Sequence, residues 1–137
     1  MKGVTDILDV VARVFISAIF LKAAYGKIVG FSDTMGYMKG KMPFDNEIII
    51  GVLLVGAILF LVFGGFSVFI GYKAQAGALL LILFLIPTTY FFHNFLDDPS
   101  QINAFMKNLA LIGALLYVMA HGTKSLSVES ATKKSGK

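Results

Sequence analysis

The stretch that decides the fold is Asp6–Lys27, DILDVVARVFISAIFLKAAYGK, an apolar run that contains five charged residues. It is hydrophobic enough to enter a bilayer, where charged side chains are costly to place. At about 100° per residue, one set of its side chains falls within roughly 40° of Arg13 on a helix surface. This set, the Arg13 stripe, comprises Asp6, Asp9, Arg13, Ser17, Phe20, Ala24 and Lys27. Lys22 lies on the opposite side, so the pattern does not indicate an amphipathic helix with one solvated face. We expect the stripe to face the inside of a bundle.

The composition is typical of a membrane protein. Of the 137 residues, 57% are hydrophobic and 15% are charged, whereas a soluble domain has about a quarter charged residues. The net charge of +4 does not indicate a nucleic-acid partner, because the basic residues lie in loops and the tail rather than in an aromatic-interleaved patch. The chain has no cysteine, which excludes disulfides and thiolate metal ligation. The expected partner is the lipid bilayer.

Four hydrophobic segments are each close to the roughly 20 residues that cross about 30 Å of hydrocarbon. They are Ile7–Val29, Ile48–Ile70, Gln75–Phe95 and Phe105–His121. We therefore predict an all-α membrane protein, a four-transmembrane-helix bundle over residues 1–122. The Ser/Thr/Lys-rich residues 123–137 are predicted to form a disordered basic cytoplasmic tail.

The connections between the segments carry turn signals. Glycines and Pro43 in residues 30–47 argue against one long helix there, and the spacing of Phe31, Met35 and Met38 predicts a short amphipathic turn on the bilayer surface. The link at residues 71–74 is very short. The second and third spans are therefore predicted to be antiparallel neighbours.

The distribution of basic residues predicts the orientation. Six of those outside the spans lie on the side that both termini share, namely Lys2, Lys73, Lys124, Lys133, Lys134 and Lys137. Four lie on the other side together with most of the acids, namely Lys27, Lys39, Lys41 and Lys107. Because basic residues are enriched in cytoplasmic loops, we predict that both termini are cytoplasmic.

Two runs of the sequence carry a resemblance to a known family. Arg13–Leu21 (RVFISAIFL), followed by Tyr25-Gly26-Lys27-Ile28, is similar to the first span of the DoxX family of small four-span bacterial membrane proteins, with its early arginine and later Gly-Lys pair. Phe105–Gly113 (FMKNLALIG) is similar to its Phe-x-Lys-Asn-Leu-x-Leu-x-Gly run. His93 stands in the place of a histidine common before the third loop, and Lys22 departs from the usual small or apolar residue. The similarity covers residues 11–117.

The resemblance implies a protein of the bacterial inner membrane that is associated with redox complexes. A related subunit belongs to a thiosulfate:quinone oxidoreductase, and some members are linked to oxidative-stress complexes. It thus implies a soluble or membrane redox partner and a quinone as candidate ligand. It supplies no catalytic residue, so we expect no independent enzyme activity and, if any, that of a quinone-linked oxidoreductase subunit.

Polar side chains within or beside the spans form the candidate intramembrane site. They are Asp9, Arg13, Lys27, Tyr90, His93, Asn94, Lys107 and Asn108. Asp9 and Arg13 stand at i and i+4 with the acid first, so they either form a pair that sets the helix register or leave Arg13 to reach a lipid headgroup or a quinone oxygen. His93 either belongs to a polar pocket at the outer end or is a hydrogen-bonded structural residue. We expect the Arg13 stripe to face the Tyr90–His93 and Lys107–Asn108 surfaces.

The residues leave three functional hypotheses open. The first is an auxiliary or quinone-binding subunit, the second a lipid-headgroup-binding or transport protein that uses Arg13, Lys27, His93 and Lys107, and the third an assembly scaffold. No metal site is expected, because His93 and His121 are predicted on opposite membrane sides and the neighbouring acids lack a typical ligand spacing. Glycine-rich spans and an unpaired Lys22 are compatible with a homodimer.

Overall fold

A computed structural model describes residues 1–124 and 126–136, so Ser125 and Lys137 of the predicted tail lie outside the described residues. The chain is 84% helical, and the described residues contain no strand. The helices are α1 (Lys2–Val29), α2 (Phe31–Lys41), α3 (Glu47–Ile70), α4 (Ala74–Phe92), α5 (Ile102–His121) and α6 (Val128–Ser135). A 3₁₀ turn at Pro99–Gln101 precedes α5.

Three helices of the described chain are long and apolar enough to cross a membrane. They are α3, α4 and the segment Pro99–His121, which contains α5. The fourth predicted span belongs to α1, which carries Arg13 and Lys22 in its central part and Lys27 in its last turn. With 28 residues, α1 is about 42 Å long, and it packs beside α3. The four-span count is therefore not confirmed, and the fourth span in α1 stays a prediction.

The Arg13 stripe faces the inside of the bundle, as the helical period predicts. The buried residues of α1 are Arg13, Ser17, Phe20 and Ala24, all members of the stripe, whereas Lys22 is exposed. The main core combines side chains of all four long helices and includes Phe20, Ala24, Leu61, Val68, Ala78, Leu81, Leu85, Leu115 and Val118. Many large apolar side chains point outward instead, such as Phe15 and Phe63. Such an outer surface suits a lipid environment.

Local capping sets both ends of α3. Asn46 accepts hydrogen bonds through its side chain from the backbone N–H groups of Ile48 and Ile49, at 3.0 and 3.1 Å, which satisfies donors of the first helical turn. At the other end Gly71 adopts the left-handed conformation with φ of 70°, the usual helix C-terminal arrangement for glycine. The chain then turns directly into α4. The predicted helical hairpin of α3 and α4 is present.

Glycines bring the backbones of α3 and α4 together. A Cβ atom added at Gly64 would lie 2.8 Å from the Gly77 carbonyl oxygen and 2.8 Å from Leu81 Cγ. Since apolar burial drives helix association little in lipid, such close backbone contacts contribute much of the packing energy.

We expect Gly64→Ala to lower the free energy of unfolding by about 1–3 kcal/mol, because the added methyl group overpacks this contact. Unfolding in mixed micelles measures the effect. Gly56→Ala is the matched control, since a Cβ at Gly56 in the same helix meets nothing within 4 Å. Equal losses in both variants would contradict the role of the Gly64–Gly77 contact.

The α2 helix is longer than the predicted amphipathic turn and covers one end of the bundle. Met38 is buried with Ile50 and Leu54 of α3, and Phe31 and Met35 pack against this second cluster. The ring of Tyr37 stacks on Phe92 at the end of α4, with centroids 5.5 Å apart. Helix α2 extends beyond a single turn because the face that carries Phe31, Met35 and Met38 packs against apolar side chains of α3 and α4.

The boundaries around the third and fourth spans differ from the prediction. Helix α4 ends at Phe92 rather than at Phe95, because Asn94 forms a local turn in which its side chain accepts from Leu96 N at 3.1 Å. Helix α5 begins at Ile102 rather than Phe105, since the 3₁₀ turn capped by Asp98 leads directly into it.

The C-terminal segment also differs from the predicted disordered tail. Val128–Ser135 is helical, and Ser127 and Ser130 form a reciprocal capping box at its start. The backbone N–H of Glu129 donates to the carbonyl oxygen of Gly71 at 3.2 Å. The helical segment thus contacts the end of α3. The polar composition of the tail does not predict this contact.

Candidate functional site

The predicted site residues separate into two groups at opposite ends of the bundle. Asp9 and Arg13 lie at the Arg13 end, where α3 finishes and the C-terminal segment returns. The others lie at the His93 end, near the start of α3 and the end of α4, namely Lys27, Tyr90, His93, Asn94, Lys107 and Asn108. Arg13 and Lys27 are fourteen residues apart on α1, about 21 Å. The expectation that the whole Arg13 stripe faces the Tyr90–His93 and Lys107–Asn108 surfaces is therefore wrong for Arg13.

At the Arg13 end, the guanidinium group is enclosed by protein acceptors. Nε donates to Asp9 Oδ2 at 3.0 Å, Nη1 to the Phe69 carbonyl at 3.0 Å and Nη2 to the Leu126 carbonyl at 2.6 Å. The side chain is only 4% exposed. Phe69 belongs to the last turn of α3, where carbonyls lack helical partners and a cation is favourable. This geometry favours a structural role for the predicted Asp9–Arg13 pair, because all three nitrogens of Arg13 already donate to the protein.

Three positions that complete the Arg13 network were missed by reasoning from the sequence. Asp9 Oδ2 also accepts from Lys124 N at 3.2 Å, and the Leu126 carbonyl and Gly71 contribute through their backbones. Gly71, as the residue after an apolar helix, carried a usable signal. Lys124 and Leu126 carried none, because backbone groups are the same for nearly every residue type.

At the His93 end, two side-chain pairs link the end of α4 to the start of α5. His93 Nδ1 lies 2.9 Å from Gln101 Oε1, and the hydrogen bond assigns the proton to Nδ1 since an amide oxygen only accepts. Asn108, which is 4% exposed, donates through Nδ2 to Thr89 Oγ1 at 3.0 Å. The Nε2 atom of His93 has no partner among the described residues.

Not all predicted residues of the outer pocket join this arrangement. Tyr90 is 68% exposed and contacts the ring of its neighbour Phe91. Lys107 is exposed and Lys27 is half-buried, and neither forms an ion pair within residues 1–124 and 126–136. Asn94 donates to Asp97 Oδ2 at 2.9 Å in the loop.

Most acids near the His93 end are engaged in local contacts, whereas Asp33 in the first turn of α2 is exposed. Lys39 Nζ lies 3.2 Å from Asp45 Oδ1 and 3.1 Å from Glu47 Oε1, and these carboxylates raise the pKa of Lys39. Hydrogen bonds from Ser100 lower the pKa of Asp98. Within the described chain, no three His, Asp or Glu side chains are grouped to hold a metal ion. The site is therefore richer in available hydrogen-bond donors than in available carboxylates.

A helical bundle with three apolar spans, an outward apolar surface and polar networks at both ends defines a small polytopic membrane protein. The model of the DoxX family matches residues 8–94, so the chain belongs to the DoxX family. It is 30% identical to the inner membrane protein YqjF of Escherichia coli (strain K12) over 98% of both chains. It is 29% identical to the inner membrane protein YphA of the same organism, over 90% of this chain and 89% of that one. No solved structure matches.

The family match includes part of the residues that carry the resemblance. Arg13, Lys27 and His93 lie within residues 8–94, whereas Lys107 and Asn108 lie beyond them. Membership of the family is thus shown without the Lys-Asn-Leu run of α5.

Proposed function

We propose that this chain is a non-catalytic membrane subunit that binds a quinone at its His93 end and associates with a redox complex. The observation that carries the proposal is the free Nε2 of His93, whose ring is held by Gln101 at the end of a membrane-spanning helix. The resemblance to the DoxX family, which implies an association with quinone-linked redox complexes, supports the same proposal. A redox partner, a homodimer and cytoplasmic termini stay predictions.

The chemistry of the His93 end fits a quinone head group. Imidazole Nε2 accepts a hydrogen bond from a hydroxyl of the reduced form and, when protonated, donates to a carbonyl of the oxidised form. Lys107 and Lys27 are additional donors at this end. The rings of Phe95 and Phe105 pack edge to face with centroids 4.8 Å apart, which provides aromatic surface for a planar ring.

The test is quinone binding by the purified protein in nanodiscs, titrated with a short-chain ubiquinone. Loss of one hydrogen bond weakens binding by about 1–1.5 kcal/mol, so we expect His93→Ala to raise the Kd about tenfold. The matched control is His121→Ala at the Arg13 end, where the ring stacks on Tyr117. Absence of binding by the unmodified protein, or equal effects of the two substitutions, would contradict the proposal.

A second candidate, binding of an anionic lipid headgroup at the same end, is favoured by Lys27 and Lys107, for which the described residues provide no counter-ion. Native mass spectrometry distinguishes the two. Retention of a phospholipid that is lost in Lys107→Gln but kept in His93→Ala would favour the headgroup. Quinone binding that is lost in His93→Ala but intact in Lys107→Gln would favour the quinone.

A further inference from the structure

The C-terminal segment is attached across the Arg13 end by hydrogen bonds of its backbone to three residues of the bundle. The Leu126 carbonyl accepts from Arg13 Nη2 at 2.6 Å, Lys124 N donates to Asp9 Oδ2 at 3.2 Å and Glu129 N donates to the Gly71 carbonyl at 3.2 Å. Arg13 and Asp9 are in α1, and Gly71 ends α3. The segment therefore lies beside the C-terminal end of α3, a helix that is long and apolar enough to cross a membrane.

Outside these contacts the segment presents apolar and basic side chains. Leu126 is 54% exposed and Val128 is 44% exposed. Lys124, Lys133 and Lys134 are also exposed. This combination is typical of elements that lie in the interface of a bilayer, with apolar groups at the acyl boundary and cations among the headgroups.

The rest of the Arg13 end adds further positive charge. Lys2 of α1 and Lys73 of the turn between α3 and α4 are exposed, and Lys73 Nζ lies 5.7 Å from the ring centroid of Tyr72, a residue type enriched at membrane interfaces. The acids at this end are Asp6, which is half-buried on α1, Asp9, which is paired with Arg13, and Glu129, which is paired with Lys133. The exposed lysines thus outnumber the carboxylates that are available to neutralise them.

We propose that the C-terminal segment binds the anionic phospholipid headgroups of the leaflet at the Arg13 end. Basic residues beside a membrane are attracted to anionic lipid by about 1 kcal/mol each. The anchoring to α1 and α3 keeps Lys124, Lys133 and Lys134 at the bilayer surface, and Leu126 and Val128 supply the apolar contact. A lipid surface suits these features better than a soluble acidic protein, because the lysines and the apolar side chains share the segment that crosses the helix ends.

The test uses the full chain in nanodiscs, with an environment-sensitive fluorophore on Ser135→Cys in α6. The natural sequence has no cysteine, so the label is unique. We expect lipid-like emission in discs that contain phosphatidylglycerol but not in discs of phosphatidylcholine alone. At 1 M salt the screening length falls to about 3 Å, and we expect the label to leave the lipid.

Two double variants make the test specific to charge position. K133Q/K134Q is expected to reduce the lipid-bound to free ratio of the segment by tenfold or more, at roughly fivefold for each lysine. K39Q/K41Q is the matched control, because it also removes two exposed lysines from the last turn of a helix, at the opposite end.

Equal emission in both kinds of disc, or an unchanged response of K133Q/K134Q, would overturn the proposal. The proposal would also be overturned if the emission of the label did not change with phosphatidylglycerol and changed only when a soluble protein was added. His93→Ala is expected to leave the label response unchanged, so the quinone proposal can fail without affecting this one.

Discussion

Arg13→Leu is expected to lower the free energy of unfolding by about 3–5 kcal/mol, the range measured when one partner of a buried ion pair is removed. The substitution leaves the Asp9 carboxylate, 16% exposed, without its cation. It also removes the donors to the Phe69 and Leu126 carbonyls, so α1 loses the guanidinium hydrogen bonds that join it to the end of α3 and to the C-terminal segment. Reversible unfolding in mixed micelles measures the loss.

Lys22→Leu is the matched control for this prediction, because it removes a cation from the same helix. Lys22 is exposed on the side opposite Arg13, and leucine is the less costly residue against lipid, so we expect a change below about 1 kcal/mol. Arg13→Lys keeps the charge without the planar fork of donors and should fall between the two. Equal tolerance of both leucine substitutions would mean that the Arg13 network does not stabilise the fold.

Gly71→Ala is expected to lower the free energy of unfolding by about 2–4 kcal/mol, from backbone strain and overpacking together. Gly71 has a φ of 70°, and an added Cβ would lie 2.6 Å from Arg13 Nη1 and 2.6 Å from Ser127 Cβ. The methyl group therefore displaces both the guanidinium group and the start of α6. Hydrogen exchange of the amides of Lys124 and Glu129, which donate into this network, should become faster.

Gly36→Ala in α2 is the control for Gly71→Ala, since a Cβ at Gly36 meets nothing within 4 Å. A helical glycine replaced by alanine usually gains about 0.5–1 kcal/mol, so we expect this variant to be slightly more stable than the natural chain. If Gly71→Ala keeps the slow exchange of Lys124 and Glu129, the close approach at Gly71 is not what holds the segment.

Much of the helical architecture could be predicted because its causes are local. The helical period places Arg13, Ser17, Phe20 and Ala24 on one face, and these are the buried residues of α1. The capping residue Asn46 and the glycine after Ile70 mark the ends of α3, since a helix terminus is satisfied by groups within a few residues of it. Helix α2 is longer than the turn that its sequence predicts, because the apolar side chains that stabilise it belong to α3 and α4.

The Arg13 stripe shows which properties of α1 depend on the local sequence and which depend on the tertiary structure. Its period determined the angle of each side chain around α1, and hence that the charges face inward. The angle carries no information about partners, and the rise of about 1.5 Å per residue separates Arg13 from Lys27 and from the His93 end. Only the tertiary structure decided that Arg13 binds the Leu126 carbonyl, 113 residues away, because that acceptor is a backbone group which the chain brings into place by folding.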